Sequence, residues 1–253
     1  MNLLDLSGKK ALVVGAGGIG TALAAGFAQH GADVAVADRD AGSADAAAAG
    51  VRAFGCRTLA RTVDVTDEES VAALAADLAE SWGGVDILVN TAGVAARLPS
   101  LSVPIEKIRE TLEVNVIGTF ICCRAFGKEM MERGGGKIVN LSSVRARYGT
   151  RGGMADYGAS KGAVDALTRQ LAVEWAPHRI YVNAIAPTVV ETGFTTSILA
   201  DPAAAAGLVE RIPLGRWAQP EDLVGPVLFF ASPASDYVTG QILFVDGGLT
   251  AVV

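Results

Sequence analysis

The sequence predicts an α/β fold: one Rossmann-like domain over residues 1–253, built on a doubly wound parallel sheet of about seven strands. Three observations carry this. Short, nearly continuous apolar runs recur along the chain, segments with apolar residues at three- and four-residue spacing separate them, and a glycine-rich turn follows the first run. Runs that are apolar on successive residues suit strands covered on both faces, the condition of a parallel sheet flanked by helices.

In chain order, "KALVVG" (10–15) is the first strand, and the glycines that follow it open a helix over 18–30. "ADVAVAD" (32–38) is the second. A helix over 67–82 leads to the strand "VDILVN" (85–90), a long one over 105–132 to "KIVNLSS" (137–143), and one over 156–176 to "IYVNAIA" (180–186). Pro220 suits the first turn of a helix over 220–232, where the amide that proline lacks would be unpaired anyway, and "QILFVD" (241–246) is the last strand. The stretch 192–213 breaks the rhythm. It is long and rich in small residues, so it is expected to form an irregular flap over the substrate. Ligands of open parallel sheets bind beyond the carboxyl ends of the strands, which makes the residues just after each strand the ones to search.

The 253 residues are 51% hydrophobic and 19% charged, enough to bury a core and unlike a disordered chain. A net charge of −6 with no lysine- or arginine-rich run argues against nucleic acid as a partner, because phosphate binding calls for a basic footprint. Cys56, Cys122 and Cys123 lack the spacing of a zinc site, so no metal is expected and a reducing cytoplasm fits. The opening "MNLLDLSGKKALVV" carries Asp5 and no long apolar segment, so neither a secretory signal nor a membrane span is expected.

Gly15, Gly17 and Gly20 form G-x-G-x-x-G after a strand and at the start of a helix. Bare backbone there, with Gly18 and Ile19 between, lets the turn approach a pyrophosphate held at the positive end of the helix dipole. Asp38 ends the second strand about twenty residues on, placed to accept hydrogen bonds from an adenosine ribose and to repel a 2′-phosphate. NAD is therefore expected over NADP. Arg39 is the complication, since its guanidinium could stack on adenine or pair with that phosphate.

"YGASK" (157–161) sets Tyr157 and Lys161 four residues apart on one helix face. A lone tyrosine titrates near pH 10, but an ammonium a few ångströms away, at an effective dielectric of about 20, favours the phenolate by on the order of 3–4 kcal/mol, roughly two to three pH units. Tyr157 is thus expected to be a working base tuned by Lys161. Ser143, at the end of its strand, can hold a substrate oxygen. An exposed helix pair or a turn-capping serine would explain each residue singly; their joint spacing and strand context point to chemistry.

On these residues the chain resembles the short-chain dehydrogenase/reductase family, over nearly its whole length. The resemblance implies reversible hydride transfer between a secondary alcohol and NAD, with Asn115, Ser143, Tyr157 and Lys161 catalytic. Tyr157 would exchange the hydroxyl proton, Ser143 steady the oxygen, Lys161 hold the ribose, and Asn115 of "LEVNVIG" help hold a relay water. "NTAG" (90–93) matches the element that supports the sheet and the cofactor ribose, which brings in Asn90, Ala92 and Gly93. Asp64, with Val65 beside it, matches the acid near the adenine, and "IAPTVVET" (185–192) supplies Pro187, Val190 and Thr192 at the nicotinamide. Two departures stand out: Val14 replaces the usual threonine, with one residue fewer between Gly15 and Gly18, and Thr188 follows Pro187 where glycine is common. The family also implies a homotetramer, or a dimer, joined through the helices around 105–132 and 156–176 and the C-terminal region.

Arg145, Arg147 and Arg151 crowd the loop "VRARYGTRGG" between Ser143 and Tyr157. They suggest an anionic substrate such as a sugar acid, since guanidinium forks fit carboxylates; surface arginines paired with acids are the other reading. With "GRW" (215–217), the chain resembles sugar- and sugar-acid-oxidising members of the gluconate type, so a small polar alcohol or ketone is the expected partner. Within the family the alternative is a 3-oxoacyl-thioester reductase using NADPH, which Asp38 opposes. Outside it, the alternative is a non-catalytic nucleotide-binding protein of the same fold. A histidine- or zinc-dependent dehydrogenase is poorly served by His30 and His178, which both look structural.

Overall fold

The computed structural model describes residues 2–150, 153–196, 200 and 202–251. Seven parallel strands form one sheet: β1 (Lys10–Val14), β2 (Asp33–Asp38), β3 (Thr58–Thr62), β4 (Ile87–Asn90), β5 (Gly136–Leu141), β6 (Ile180–Pro187) and β7 (Ile242–Val245). Their order is β3-β2-β1-β4-β5-β6-β7, so the winding direction reverses between β1 and β4. Val14 pairs with Ala37 and with Asn90, and Asn90 with Asn140, which lines the carboxyl ends of the strands along one edge. A crevice at that edge, at the reversal point, is where such sheets bind ligands.

The helices are α1 (Gly18–Gln29), α2 (Ala41–Arg52), α3 (Glu68–Trp82), α4 (Ile105–Leu112), α5 (Thr119–Arg133), α6 (Ala155–Trp175), α7 (Pro202–Val209) and α8 (Val224–Ala231). Successive strand residues point to opposite faces and build two cores. Ala11, Val13, Val34 and Val36 pack with Leu23 and Phe27 of α1 and Val227 of α8. Leu12, Val14, Ala35 and Ala37 pack on the other side with Leu78 of α3, Phe126 of α5 and Leu171 of α6. Both faces are covered, which is why the strands read as unbroken apolar runs.

Four elements differ from the sequence-based expectation. β3, "TLART", is a half-buried edge strand with polar residues and carries no apolar run. α2 buries Ala44, Ala47, Ala48 and Val51, a face too rich in alanine to stand out by period; Asp40 starts it by accepting a 2.7 Å hydrogen bond from the Ser43 amide. The long helix over 105–132 is interrupted by a π turn at Glu113–Gly118, which carries Asn115. The stretch 192–213 is corrected from irregular to partly helical, because it contains α7. Among the described residues, no helix is long and apolar enough to cross a membrane.

Candidate active site

A cavity of about 360 Å³ opens at the carboxyl edge of the sheet. The turn after β1 forms one end of it. Gly15 has φ +107, a conformation that glycine adopts without strain. The Ala16 amide donates to Asp38 Oδ2 at 2.7 Å, and Thr91 Oγ1 lies 3.0 Å from both the Val14 and Gly15 carbonyls. α1 then begins at Gly18 with no side-chain cap and no acid in its first turn, so its amides and dipole are directed at the cavity as an anion seat. A Cβ at Gly17 would meet nothing within 4 Å. Packing does not require glycine there; the bare backbone serves a group that comes close to the turn, and the turn fits the pyrophosphate of a dinucleotide.

Ser143, Tyr157 and Lys161 stand at the other end. β5 delivers Ser143 just past its last residue, and α6 supplies the other two from one face. The Ser143 hydroxyl is the side-chain hydrogen-bond partner of the Tyr157 phenol and favours its ionised form. Lys161, only 2% exposed, donates from Nζ to the Leu141 carbonyl at 2.7 Å and lies 5.5 Å from the Tyr157 ring centroid. Phe194 places its ring 6.0 Å from that of Tyr157.

Known proteins resemble this chain along its full length. A family model described as enoyl-(acyl carrier protein) reductase matches residues 14–250. Gluconate 5-dehydrogenase of Gluconobacter oxydans (strain 621H) is 40% identical over 98% of this chain and 97% of its own. Galactitol 2-dehydrogenase (L-tagatose-forming) of Cereibacter sphaeroides is 44% identical over 97% of this chain and 96% of its own. The crystal structure of a gluconate 5-dehydrogenase from Burkholderia cenocepacia J2315, in complex with NADP and tartrate, superposes with a TM-score of 0.95 at 38% identity, covering 100% of this chain and 99% of that one.

The chain belongs to the short-chain dehydrogenase/reductase family. It is an NAD(P)-dependent dehydrogenase/reductase, and the family resemblance read from the glycine turn and "YGASK" is correct. The expected tuning of Tyr157 by Lys161 is corrected. Burial governs this short-chain dehydrogenase's tyrosine and holds its phenol above the ordinary value, while the Ser143 hydrogen bond and the Arg97 and Arg145 guanidiniums pull it down. Burial also pushes the Lys161 ammonium down to about 8, and that ammonium is bonded to a backbone carbonyl.

Of the other predicted residues, Gly15, Gly17, Gly18, Ile19, Gly20 and Asp38 line the cofactor end of the cavity. Ala92, Gly93, Val190 and Thr192 line its walls, as does Thr188, and Arg145 reaches it near Tyr157. Asn90 does not line it: its amide donates to Asn140 Oδ1 at 2.9 Å and toward Cys123, inside the sheet layer. Asn115 is likewise engaged by protein, with Oδ1 accepting from the Val94 amide at 2.8 Å and Nδ2 donating to the Val94 carbonyl and Ser160 Oγ, both at 2.9 Å. It clamps the loop after β4 to α6 and leaves neither amide hydrogen for a water. Asp64 accepts from Thr66, Val65 would meet a Cβ at Gly118, Pro187 ends β6, and Arg39 is exposed; none of these four is among the residues that line the cavity, although Arg39 and Pro187 adjoin Asp38 and Thr188, which do. Arg147 is exposed and stacks 5.4 Å over Phe244, so it is removed from the candidate substrate set. Arg151 lies outside the described residues.

Two residues at the site went unread in the sequence. Arg97 lines the cavity from the loop after β4, its guanidinium 4.1 Å over the Phe194 ring and donating to the Phe194 carbonyl. Asp156, 2% exposed, accepts from the Ala96 amide at 2.8 Å and Thr111 Oγ1 at 2.7 Å, tying that loop and α4 to the residue before Tyr157. A basic residue so soon after β4 was the one signal available for Arg97.

Proposed function

We propose that this dehydrogenase interconverts a secondary hydroxyl and a ketone on a sugar acid, within a single domain whose stretch 192–213 covers the substrate. The observation that carries this reading is one cavity holding the Ser143–Tyr157 pair, two guanidiniums, Arg97 and Arg145, and the glycine turn. Gluconate and galactitol dehydrogenases among the relatives support a polyhydroxylated substrate. A bound nicotinamide dinucleotide supplies the redox chemistry. In the reducing direction, Tyr157, kept neutral by burial, gives its proton to the ketone oxygen while Ser143 donates a hydrogen bond to the same atom. In the oxidising direction the phenolate takes the hydroxyl proton. Lys161 holds the ribose, and Asn115 positions the loop that carries Arg97.

Arg145 is the residue assigned to the substrate's charge. Its Nη1 is buried without a hydrogen-bond partner, and a buried guanidinium nitrogen left unpaired calls for a reason. Arg145→Met is expected to raise KM for an aldonate about 10- to 100-fold, the loss of one charge-assisted hydrogen bond of roughly 1.5–3 kcal/mol. KM for an alditol of equal length should stay within about twofold. Equal effects on both substrates would take Arg145 out of anion recognition.

NAD is the proposed preference, supported by the Asp38 carboxylate in the cavity wall. The Burkholderia relative holds NADP, and Arg39, exposed beside Asp38, is the group that would serve a 2′-phosphate. The deciding experiment is a coupled screen of aldonates, alditols and sugars with NAD and NADP in parallel, with a 3-oxoacyl thioester and NADPH as the competing reading. Turnover of the thioester alone overturns the sugar-acid assignment. A cytoplasmic homotetramer is the proposed setting; Ile105, Ile117 and Phe120 on the α4–α5 segment and Val173 on α6 are exposed apolar residues that suit burial against a neighbour. A monomer by light scattering at micromolar concentration would count against it.

A further inference from the structure

Lys161, Asp165 and Arg169 follow one another at four-residue steps, so they share a face of α6 and alternate in charge along it. Each of the first two is fastened to the end of β5. Lys161 Nζ donates to the Leu141 carbonyl at 2.7 Å, and Asp165 Oδ1 accepts a hydrogen bond from the hydroxyl of Ser142. Leu141 and Ser142 are the two residues that precede Ser143, so a cation and an anion of one helix face grip successive residues beside the hydroxyl that meets Tyr157. The Ser142 bond fixes the direction of the Asp165 carboxylate. Among the described residues, Asp165 is the charged group acting on Lys161. The other groups placed beside Lys161 are neutral: the Leu141 carbonyl from β5 and the Tyr157 ring from its own helix. Burial raises the Asp165 carboxyl above its ordinary value, against the Ser142 hydrogen bond and the Arg169 and Lys161 charges, which hold it down.

We propose that Asp165 is a positioning residue of the reaction, whose carboxylate, aimed by Ser142, keeps the buried Lys161 side chain charged where it meets the cofactor ribose. This rests on the assignment of Tyr157 and Lys161 made above. A buried ammonium without a counter-charge gives up its proton readily. Burial pushes the Lys161 ammonium down to about 8, and Asp165 acts in the opposite direction.

The test uses the full chain labelled with 13C at lysine Cε, one of whose six lysines is Lys161, its signal assigned as the one missing from Lys161→Met. Asp165→Asn keeps an oxygen for Ser142 and removes the charge; Asp165→Glu keeps the charge. The Lys161 titration midpoint is expected to fall by about half a pH unit or more in Asp165→Asn and to stay near wild type in Asp165→Glu. NADH fluorescence titration at pH 8 should then show Kd raised about twofold in Asp165→Asn, the protonated fraction of Lys161 having halved. A midpoint in Asp165→Asn equal to wild type overturns the proposal, as does an unchanged NADH affinity. The functional reading fails separately: a Lys161→Met enzyme with wild-type turnover removes that assignment, whatever the Asp165 variants do.

Discussion

Tyr157→Phe is expected to lower kcat by about 10²–10⁴-fold, the range for losing a positioned proton-transfer group, while leaving the fold and cofactor affinity as they are. The ring is half-buried and keeps its packing against Phe194; what the substitution removes is the oxygen that faces Ser143. The direction of the wild-type pH dependence follows from the same group. Burial holds the phenol above its ordinary value near 10, so at neutral pH nearly all of it is protonated. Reduction, which needs that proton, should be flat with pH around neutrality. Oxidation at saturating cofactor, which needs the phenolate, should gain about tenfold in kcat/KM for each pH unit below the tyrosine's value. Stopped-flow or steady-state rates in both directions over pH 6–9.5 read this directly. A Tyr157→Phe enzyme retaining more than about a tenth of the wild-type kcat would remove Tyr157 from proton transfer.

Local spacing is what made this site readable. Tyr157 and Lys161 sit one helical turn apart, so a four-residue interval places them together whatever the rest of the chain does. The glycine turn is legible for a similar reason, as strand, turn and helix lie within a dozen residues. Strands covered on both faces announce themselves as apolar runs, whereas β3, covered by little at the sheet edge, does not. The rest depends on contacts between distant segments. Nothing in "NTAG" tells that Asn90 turns inward to Asn140, fifty residues on, or that Asn115 spends its amide on Val94 and Ser160. The electrostatic error has the same origin. Coulomb's law at a chosen separation put Lys161 in charge of Tyr157, but the balance is set by how deeply both groups are buried and by Arg97 and Arg145, whose approach comes only from tertiary packing.

Gly20→Ala and Gly17→Ala, three residues apart in one turn, are both expected to weaken NADH binding, but only the first through the fold. A Cβ on Gly20 would lie 1.8 Å from the Gly15 carbonyl oxygen and 3.0 Å from Thr91 Oγ1. The nearer atom is backbone, so the turn itself must open, and with it go the Thr91 bonds to Val14 and Gly15 and the Ala16–Asp38 bond that couples β1 to β2. Overpacking of this kind costs about 1–3 kcal/mol and occasionally more; at roughly 2–4 °C per kcal/mol for a chain of this size, Gly20→Ala should lower Tm by about 5 °C or more and lose NADH binding as well. Gly17 sits at φ −66, ψ 177, open to any residue, and its Cβ meets nothing. Gly17→Ala should therefore melt within about 3 °C of wild type, a cap change of about 1 kcal/mol or less, yet raise the Kd for NADH about tenfold, because the methyl stands where phosphate oxygens approach the first amides of α1. A thermal melt and a fluorescence titration on each variant separate the two roles. Should Gly17→Ala bind NADH as tightly as wild type, the bare backbone at Gly17 serves no bound group and the dinucleotide does not lie across it.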